Sequence, residues 1–484
     1  MQIAIIGAGI AGLATAVRLA AKGHQVVVYE ANAFPGGKLS EIKGKGFRFD
    51  AGPSLFTMPM YVEDLQELAR PHQVPDFEYE QLDIVCNYFW EDGTRLSAYA
   101  EVAAFEREVQ EKLGLKPGIL RKALDKSRTK YELVGRIFME KPLHRWQTWL
   151  DMDVLKAMLQ IHKLDIFSTM HRANRRMARH PKLVQLFDRY ATYNGSNPYK
   201  APGILNLIPH LEQHIGAYFP KKGMVSIANH LVSLAKEKGV QFHFEEPVHR
   251  ILVKTGKAVG LETGKGQQFF DRVVCNMDVF FAYRKLLPDQ PQPERILKQE
   301  KSSSALIFYW GIKGNFQELH HHNIFFSDDY QAEFEHIAQG TVYQDPTVYI
   351  NITSKHKPDD APPGCENWFT MVNVPCDRGQ DWDRLIPEIR QQILDKLSRI
   401  LKTDSAARIC FEDHLEPRTI ESRTQSHLGA LYGTSSNNRS AAFMRHPNFT
   451  HRIPHLYFCG GSVHPGGGIP LCLLSAKIID EHFE

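Results

Sequence analysis

Residues 2–6 of this 484-residue chain are apolar at every position after Gln2, the pattern of a strand buried on both faces of a parallel sheet. Small apolar residues over 11–22 predict a helix, and Val26-Val27-Val28-Tyr29-Glu30 predicts a second buried strand. A helix is predicted over 224–238, followed by strands at 241–244, 248–254, 258–263 and 272–276, bounded by glycines or charged turns. Strands are also predicted at 305–310 and 348–353, and a helix at 385–401. A buried strand at 456–459 and a helix at 473–483 close the chain. Residues 71–220 carry long helical patterns and many aromatics, and residues 281–415 read as an open sheet with helices. There is no internal repeat or low-complexity linker. The alternation therefore predicts two discontinuous domains, one from 1–70, 221–280 and 416–484, the other from 71–220 and 281–415.

The first strand, helix and second strand frame three glycines, and this context makes the glycine pattern specific. Gly7 permits the tight turn, Gly9 lets the backbone approach a pyrophosphate, and Gly12 lets the helix pack close to the strand. The phosphates would sit at a helix N-terminus, where free N–H groups and the dipole favour negative charge. Glu30 is placed to accept hydrogen bonds from a ribose, and its charge would repel a 2′-phosphate, which argues against NADP here. Gly36-Gly37-Lys38 suggests a second backbone approach, with Lys38 near the phosphates. In the tail, Gly466-Gly467-Gly468 has no Cβ atoms, so the backbone can pass close to a planar ring. Pro470 suits the first turn of the following helix, whose N-terminus would face the pyrimidine side of a flavin. The two ends together indicate FAD and an α/β fold: a Rossmann-type FAD-binding domain joined to a discontinuous sheet-plus-helix substrate domain.

Composition narrows the classes. The length calls for two or three closely joined domains. A formal net charge of +3 demands neither nucleic acid nor an acidic partner. Seven scattered cysteines with no C-x-x-C pair read as reduced thiols in a cytoplasmic protein. The apolar run over 3–17 looks like a signal-peptide core, but no basic residue precedes it, and the dinucleotide glycines explain it better. No apolar run reaches the ~20 residues of a membrane span. Adjacent histidines cannot easily face one ion, so His320-His321-His322 is not expected to hold a metal.

Three segments carry a family resemblance: Gly46 to Ser54, Tyr190 to Pro202, and His464 to Lys477 with its His-Pro-Gly-Gly-Gly-Ile-Pro motif. They resemble the bacterial phytoene desaturase family of carotenoid desaturases, over essentially the whole chain. The stretch from Tyr190 to Glu212 looks most like the 1-hydroxycarotenoid 3,4-desaturase branch. The resemblance implies bound FAD, a carotenoid substrate, hydride transfer to the flavin to form a C–C double bond, and peripheral attachment to a membrane. By position it implies FAD contacts at Gly7, Gly9, Gly12, Glu30, Gly37, Lys38, Val248, Asn276, Gly461, Gly468 and Ile469. Two departures are visible. Lys38 stands where the family usually has arginine, and Leu471-Cys472 replaces smaller residues. Other activities share the architecture: amine and protoporphyrinogen oxidases, carotenoid isomerases or saturases, and Rab escort or GDP-dissociation-inhibitor proteins, which are binding modules.

The proton acceptor is not evident. His210, Asp188 and Arg189 are candidates, each also readable as structural. Tyr190, Tyr193 and Tyr199 fit either a substrate tunnel or the core. The crowded apolar residues from Trp146 to Ile161, with Lys156, Lys163, His171, Arg172, Arg175 and Arg176, fit either an interfacial amphipathic region or a buried helix with a solvated basic end.

Overall fold

The computed structural model describes residues 1–438 and 444–483. Its first layer is a five-stranded parallel sheet in the order Leu456–Phe458, Arg272–Cys275, Gln2–Ile6, Gln25–Tyr29, Gln241–His243. Successive side chains point to opposite faces of a strand, and both faces are covered here. Ile3 and Ile5 pack against the helices Ile10–Ala21, Val225–Glu237 and Ile469–Asp480. Ala4 and Ile6 pack against an antiparallel three-stranded sheet, Val248–Lys254, Lys257–Thr263 and Gly266–Phe269. That is why the first strand is apolar without alternation. The helix Ile10–Ala21 is buried from Ile10 to Ala20 because helices flank it as well as the sheet.

A seven-stranded sheet forms the second layer, in the order Ile409–Leu415, Ser304–Lys313, Cys365–Val374, Val348–Ile352, His322–Phe325, Ile84–Phe89, Arg95–Tyr99. It is antiparallel except where His322–Phe325 runs parallel to Ile84–Phe89. Leu306, Phe308, Trp310 and Ile312 face the helix Trp382–Leu401, which Asp381 caps by accepting from the Arg384 N–H. Ile307 and Tyr309 face the opposite way, towards the hairpin Glu41–Gly44 and Phe47–Asp50. The helical segments between Val102 and Ile215 cover the far end of this sheet around Tyr88, Trp90 and Phe326.

The predicted elements recur with shifted ends. The last helix starts at Ile469 rather than 473, since Pro470 is tolerated in a first turn. The strand predicted at 305–310 extends over Ser304–Lys313, because it is central and paired on both sides. All seven cysteines are free. Among the described residues no helix is long and apolar enough to cross a membrane.

The hairpin ties the N-terminal cofactor segment to the large sheet. Phe47, Phe49 and Phe411 stack on one another at interplanar angles of 20–24°. Two glycines leave room for them: a Cβ on Gly44 would lie 2.2 Å from the Phe411 ring, and one on Gly311 would lie 2.5 Å from the Phe47 ring. We therefore expect Gly311→Ala to overpack this joint at about 1–3 kcal/mol. Thermal unfolding followed by circular dichroism should show a midpoint several degrees below that of the parent protein.

Candidate active site

Three parallel strands end at one level. The register aligns Ile6, Cys275 and Phe458, so Gly7, Asn276 and Cys459–Gly460 leave the sheet side by side. Ligands in open α/β sheets bind at this edge. Asn276 sits between the two glycine turns. Its Nδ2 donates to the Gly7 carbonyl (3.3 Å). A Cβ on Gly9 would lie 2.7 Å from Nδ2, and one on Gly460 would lie 2.7 Å from Oδ1. Gly12 is required more strictly, since its Cβ would come within 2.2 Å of the Gly7 carbonyl oxygen. The Gly36 N–H bonds the Ala8 carbonyl (2.8 Å), which lays the Gly36–Gly37 turn beside Gly9.

Two helices open on the same cavity with bare N-termini. Gly9 precedes Ile10–Ala21, and Gly468 precedes Ile469–Asp480. Neither helix has a capping side chain or an acidic residue in its first turn. Both starts line one cavity of about 610 Å³, together with Gly37, Lys38, Asn276 and Gly461. A Cβ on Gly468 would meet nothing within 4 Å, so the backbone there borders open space. Arg445 braces the tail from behind, donating to the carbonyls of Pro465 (2.6 Å) and Thr434 (3.4 Å) and to Ser436 Oγ (3.1 Å). Burial without an acidic partner pulls its pKa down to about 10.

Beyond the cradle the cavity is walled mainly by apolar side chains, among them Leu55, Phe138, Leu207, Ile208, Ile324 and Phe369. A buried charged cluster interrupts this wall. Arg189 pairs with Glu212 at 2.7 Å and donates from Nε to Tyr88 (2.9 Å) and from a terminal nitrogen to Tyr193 (3.0 Å). Glu212 also accepts from Tyr190 (2.8 Å) and from Tyr193. Burial alone would lower the Arg189 pKa, but Glu212 and the tyrosines more than offset it and hold the guanidinium charged.

The chain matches the family description "Flavin containing amine oxidoreductase" over residues 10–478. It is 51% identical to a 1-hydroxycarotenoid 3,4-desaturase of Flavobacterium sp. (strain P99-3), over 98% of this chain and 97% of that protein. It is 31% identical to a 4,4'-diapolycopene oxygenase of Methylomonas sp, over 99% of this chain and 97% of that one. The chain belongs to the flavin-containing amine oxidoreductases, within their carotenoid desaturase family. Solved structures share the fold: cyclohexylamine oxidase of Brevibacterium oxydans (TM-score 0.63, 15% identity, 99% of this chain and 98% of that one) and an oxidoreductase from Methanosarcina mazei (TM-score 0.63, 16% identity, 99% and 100%).

The cofactor of this flavoprotein is FAD, and the cradle fits it. One uncapped helix start suits a pyrophosphate, and the other suits the electron-rich side of a flavin ring. Of the residues singled out for FAD, Gly9, Gly37, Lys38, Asn276, Gly461, Gly468 and Ile469 line the cavity; Gly7, Gly12, Glu30 and Val248 stand behind or beside it. Glu30 accepts from the Ala8 N–H (2.7 Å) and from the backbone and side chain of Asn32 (2.9 and 2.8 Å). A carboxylate has about four acceptor positions, so one remains for a ribose. Val248 lies two residues past Glu246, whose N–H bonds the Glu30 carbonyl (2.9 Å). The Lys38 ammonium donates to the carbonyls of Ala430 (3.1 Å) and Leu431 (2.7 Å), so the tail takes two of its three protons.

The three proton-acceptor candidates separate. Asp188 lies outside the cavity wall, held by His171 (2.6 Å) and Asn174 (2.8 Å). His210 also lies outside it, packed between the tilted rings of Tyr131 and His214, each with its ring centre 4.7 Å away; burial lowers its pKa to about 4. Arg189 lines the wall but is a cation committed to Glu212, so none of the three is placed as a base. Of the tyrosines, Tyr193 lines the cavity, Tyr190 belongs to the core, and Tyr199 packs on His171. Sequence reasoning missed Tyr88 and Tyr349, which carry no motif and meet their partners only across the folded sheet, and Arg445, which braces the tail; it weighed His322 only as a metal ligand. Among the described residues no group of three or more His, Cys, Asp or Glu could hold a metal ion.

The apolar stretch after residue 145 is not a buried helix. Trp146 (69%), Leu150, Met152, Met158 and Leu159 (82%) are largely exposed, while Val154 and Ala157 hold the segment to the core. Ile166 lines the cavity while its neighbour Phe167 is 74% exposed, so the cavity wall reaches the surface beside this patch.

Gly9→Val is expected to abolish flavin binding, because its side chain would fill the turn and collide with Asn276. Glu30→Gln, which loses only one acceptor to the turn, should retain part of it. Flavin absorbance per mole of protein compares the two, and a fully loaded Gly9→Val protein would count against this cradle.

Proposed function

We propose that this flavoprotein is a carotenoid desaturase that introduces the 3,4 double bond into a carotenoid bearing a 1-hydroxyl. The observation that carries the reading is one cavity that joins the FAD cradle to a long apolar wall interrupted by a few polar groups. Its 51% identity to a protein named 1-hydroxycarotenoid 3,4-desaturase supports the same substrate class. On this reading residues 1–70, 221–280 and 416–484 serve the cofactor, and residues 71–220 and 281–415 serve the substrate.

Bound FAD supplies the acceptor for the hydrogen and electron pair that leave the substrate, a role no side chain can fill. The protein's own part is positional. Leu55, Leu207, Ile208, Ile324 and Phe369 hold a hydrocarbon chain in one track and keep water from it. The Arg189–Glu212 pair fixes the wall between the helical segments and the sheet. Removing one partner of such a buried pair leaves an uncompensated charge, at about 3–5 kcal/mol.

A lipid surface is the proposed source of substrate, with the protein lying in the cytoplasm against the membrane. Trp146, Leu150, Met152, Met158 and Leu159 would enter the headgroup boundary, and Lys156, Lys163, Arg172, Arg175 and Arg176 would meet anionic lipid. Replacing Leu150, Met152 and Leu159 together with serine should reduce co-sedimentation with anionic phospholipid vesicles severalfold and leave FAD content intact. Unchanged sedimentation would remove this surface from the reading.

The substrate assignment is tested by supplying phytoene, lycopene, gamma-carotene and 1-hydroxylated derivatives to the protein in membranes. Each added conjugated bond shifts the absorbance to the red. Hydroxylated substrates should be favoured at least about tenfold in kcat/KM, since a buried polar group left unpaired costs about 1–3 kcal/mol. Ready conversion of phytoene with none of the hydroxylated carotenoids would make the protein a phytoene desaturase. A product that has gained oxygen would match its 4,4'-diapolycopene oxygenase relative instead.

A further inference from the structure

Ser54, His322 and Tyr349 form a second polar group on the cavity wall, apart from the cradle glycines. The Tyr349 hydroxyl stands 2.7 Å from His322 Nδ1 and 2.8 Å from Ser54 Oγ. Asn351 is the contact that assigns the tautomer of the imidazole, since a tyrosine hydroxyl can donate or accept. Its Nδ2 donates to the His321 carbonyl (3.1 Å), which sets the orientation of the amide, and lies 3.3 Å from His322 Nδ1. An amide nitrogen only donates, so Nδ1 accepts and the ring proton sits on Nε2. Burial keeps the ring neutral by pulling its pKa to about 3, and the nearby Arg189 charge acts in the same direction.

This Nε2–H is a buried donor with no partner in the protein, on a side chain only 3% exposed that lines the cavity. Buried donors are rarely left so, and an unpaired one on a side chain that lines a ligand cavity calls for an acceptor on the ligand. The neighbouring groups do not offer one. The hydrogen bonds that Glu212 accepts come from Arg189, Tyr190 and Tyr193 and none from His322, and Tyr349 lies on the Nδ1 side of the ring. His321 also lacks partners, but it packs against Phe219 and His356 and does not line the cavity. A polyene has no acceptor, whereas a hydroxylated one has a single oxygen.

We propose that His322, oriented by Tyr349 and Asn351, donates from Nε2 to the hydroxyl oxygen of the carotenoid and thereby sets the enzyme's preference for hydroxylated substrate. This rests on the substrate reading above and names the residue that carries it. The hydrogen bond discriminates because a hydrocarbon end leaves the donor desolvated and unpaired, worth about ten- to a hundredfold in kcat/KM. Ser54 and Tyr349 act through the ring as positioning residues.

The test compares kcat/KM for a 1-hydroxylated carotenoid and for the same carotenoid lacking the hydroxyl, using FAD-loaded protein in liposomes. In His322→Phe the preference should fall towards one, chiefly by loss on the hydroxylated substrate, with flavin content unchanged. His322→Gln, whose amide nitrogen can reach the same oxygen, should keep much of the preference. A preference that survives in His322→Phe, or an equal loss on both substrates, overturns the role of His322 alone. A parent enzyme with no preference overturns the substrate reading and this proposal with it. Should His322→Phe fail to hold FAD, Tyr349→Phe decides: an unchanged preference there overturns the proposal, and a reduced one supports it.

Discussion

Two helix N-termini left bare inside one cavity are the constraint on which this structure depends. The first turns of Ile10–Ala21 and Ile469–Asp480 have no capping side chain and contain no acidic residue, and both open on enclosed space. Orphan backbone N–H groups need an acceptor, and a buried pair of such ends presents two positive poles to one ligand. The helices come from opposite ends of the chain, so the cradle exists only when the tail returns to the first strand. That return is enforced by the parallel pairing of Arg272–Cys275 with both Gln2–Ile6 and Leu456–Phe458.

Asn276 links the two halves of the cradle. Its amide occupies the space that Cβ atoms at Gly9 and Gly460 would need, so glycines distant in the chain are required by one side chain. The cradle cannot be treated as an N-terminal motif with a tail added.

The substrate wall obeys a different rule. The seven-stranded sheet buries one face against Trp382–Leu401 and lends the other to the hairpin and the cavity. Alternation along its strands therefore separates core residues from lining residues. In the substrate part of that lining the Arg189 charge is paired with Glu212 and the surrounding tyrosines, as buried charge requires. The donor on His322 departs from this rule, which is what connects it to a ligand. The exposed patch around Trp146 to Phe167 departs from the rule for soluble surfaces, and it lies where Ile166 brings the cavity wall to the surface.

Local pattern determined a good deal of this protein. The unbroken apolar strand at 2–6, the glycines at 7, 9 and 12, and the tail glycines before Pro470 each have a meaning set by backbone sterics within a few residues, so the dinucleotide fold and the flavin were legible before any tertiary contact was known. The elements from 224 to 276 were legible for the same reason, because their periodicity is local. The chemistry of the substrate side was not. Asp188, Arg189 and His210 are close in sequence and looked equivalent, yet folding turned Asp188 to His171, packed His210 against Tyr131 outside the cavity, and brought only Arg189 to the wall. His322, Tyr349 and Ser54 come from two strands and a loop and carry no shared motif. Only the pairing of His322–Phe325 with Val348–Ile352, and the packing of the segment after the hairpin on that sheet, brought them together. Helix and turn signals arise between near neighbours along the chain, whereas a binding wall is assembled across strands, and no local pattern encodes which strands will meet.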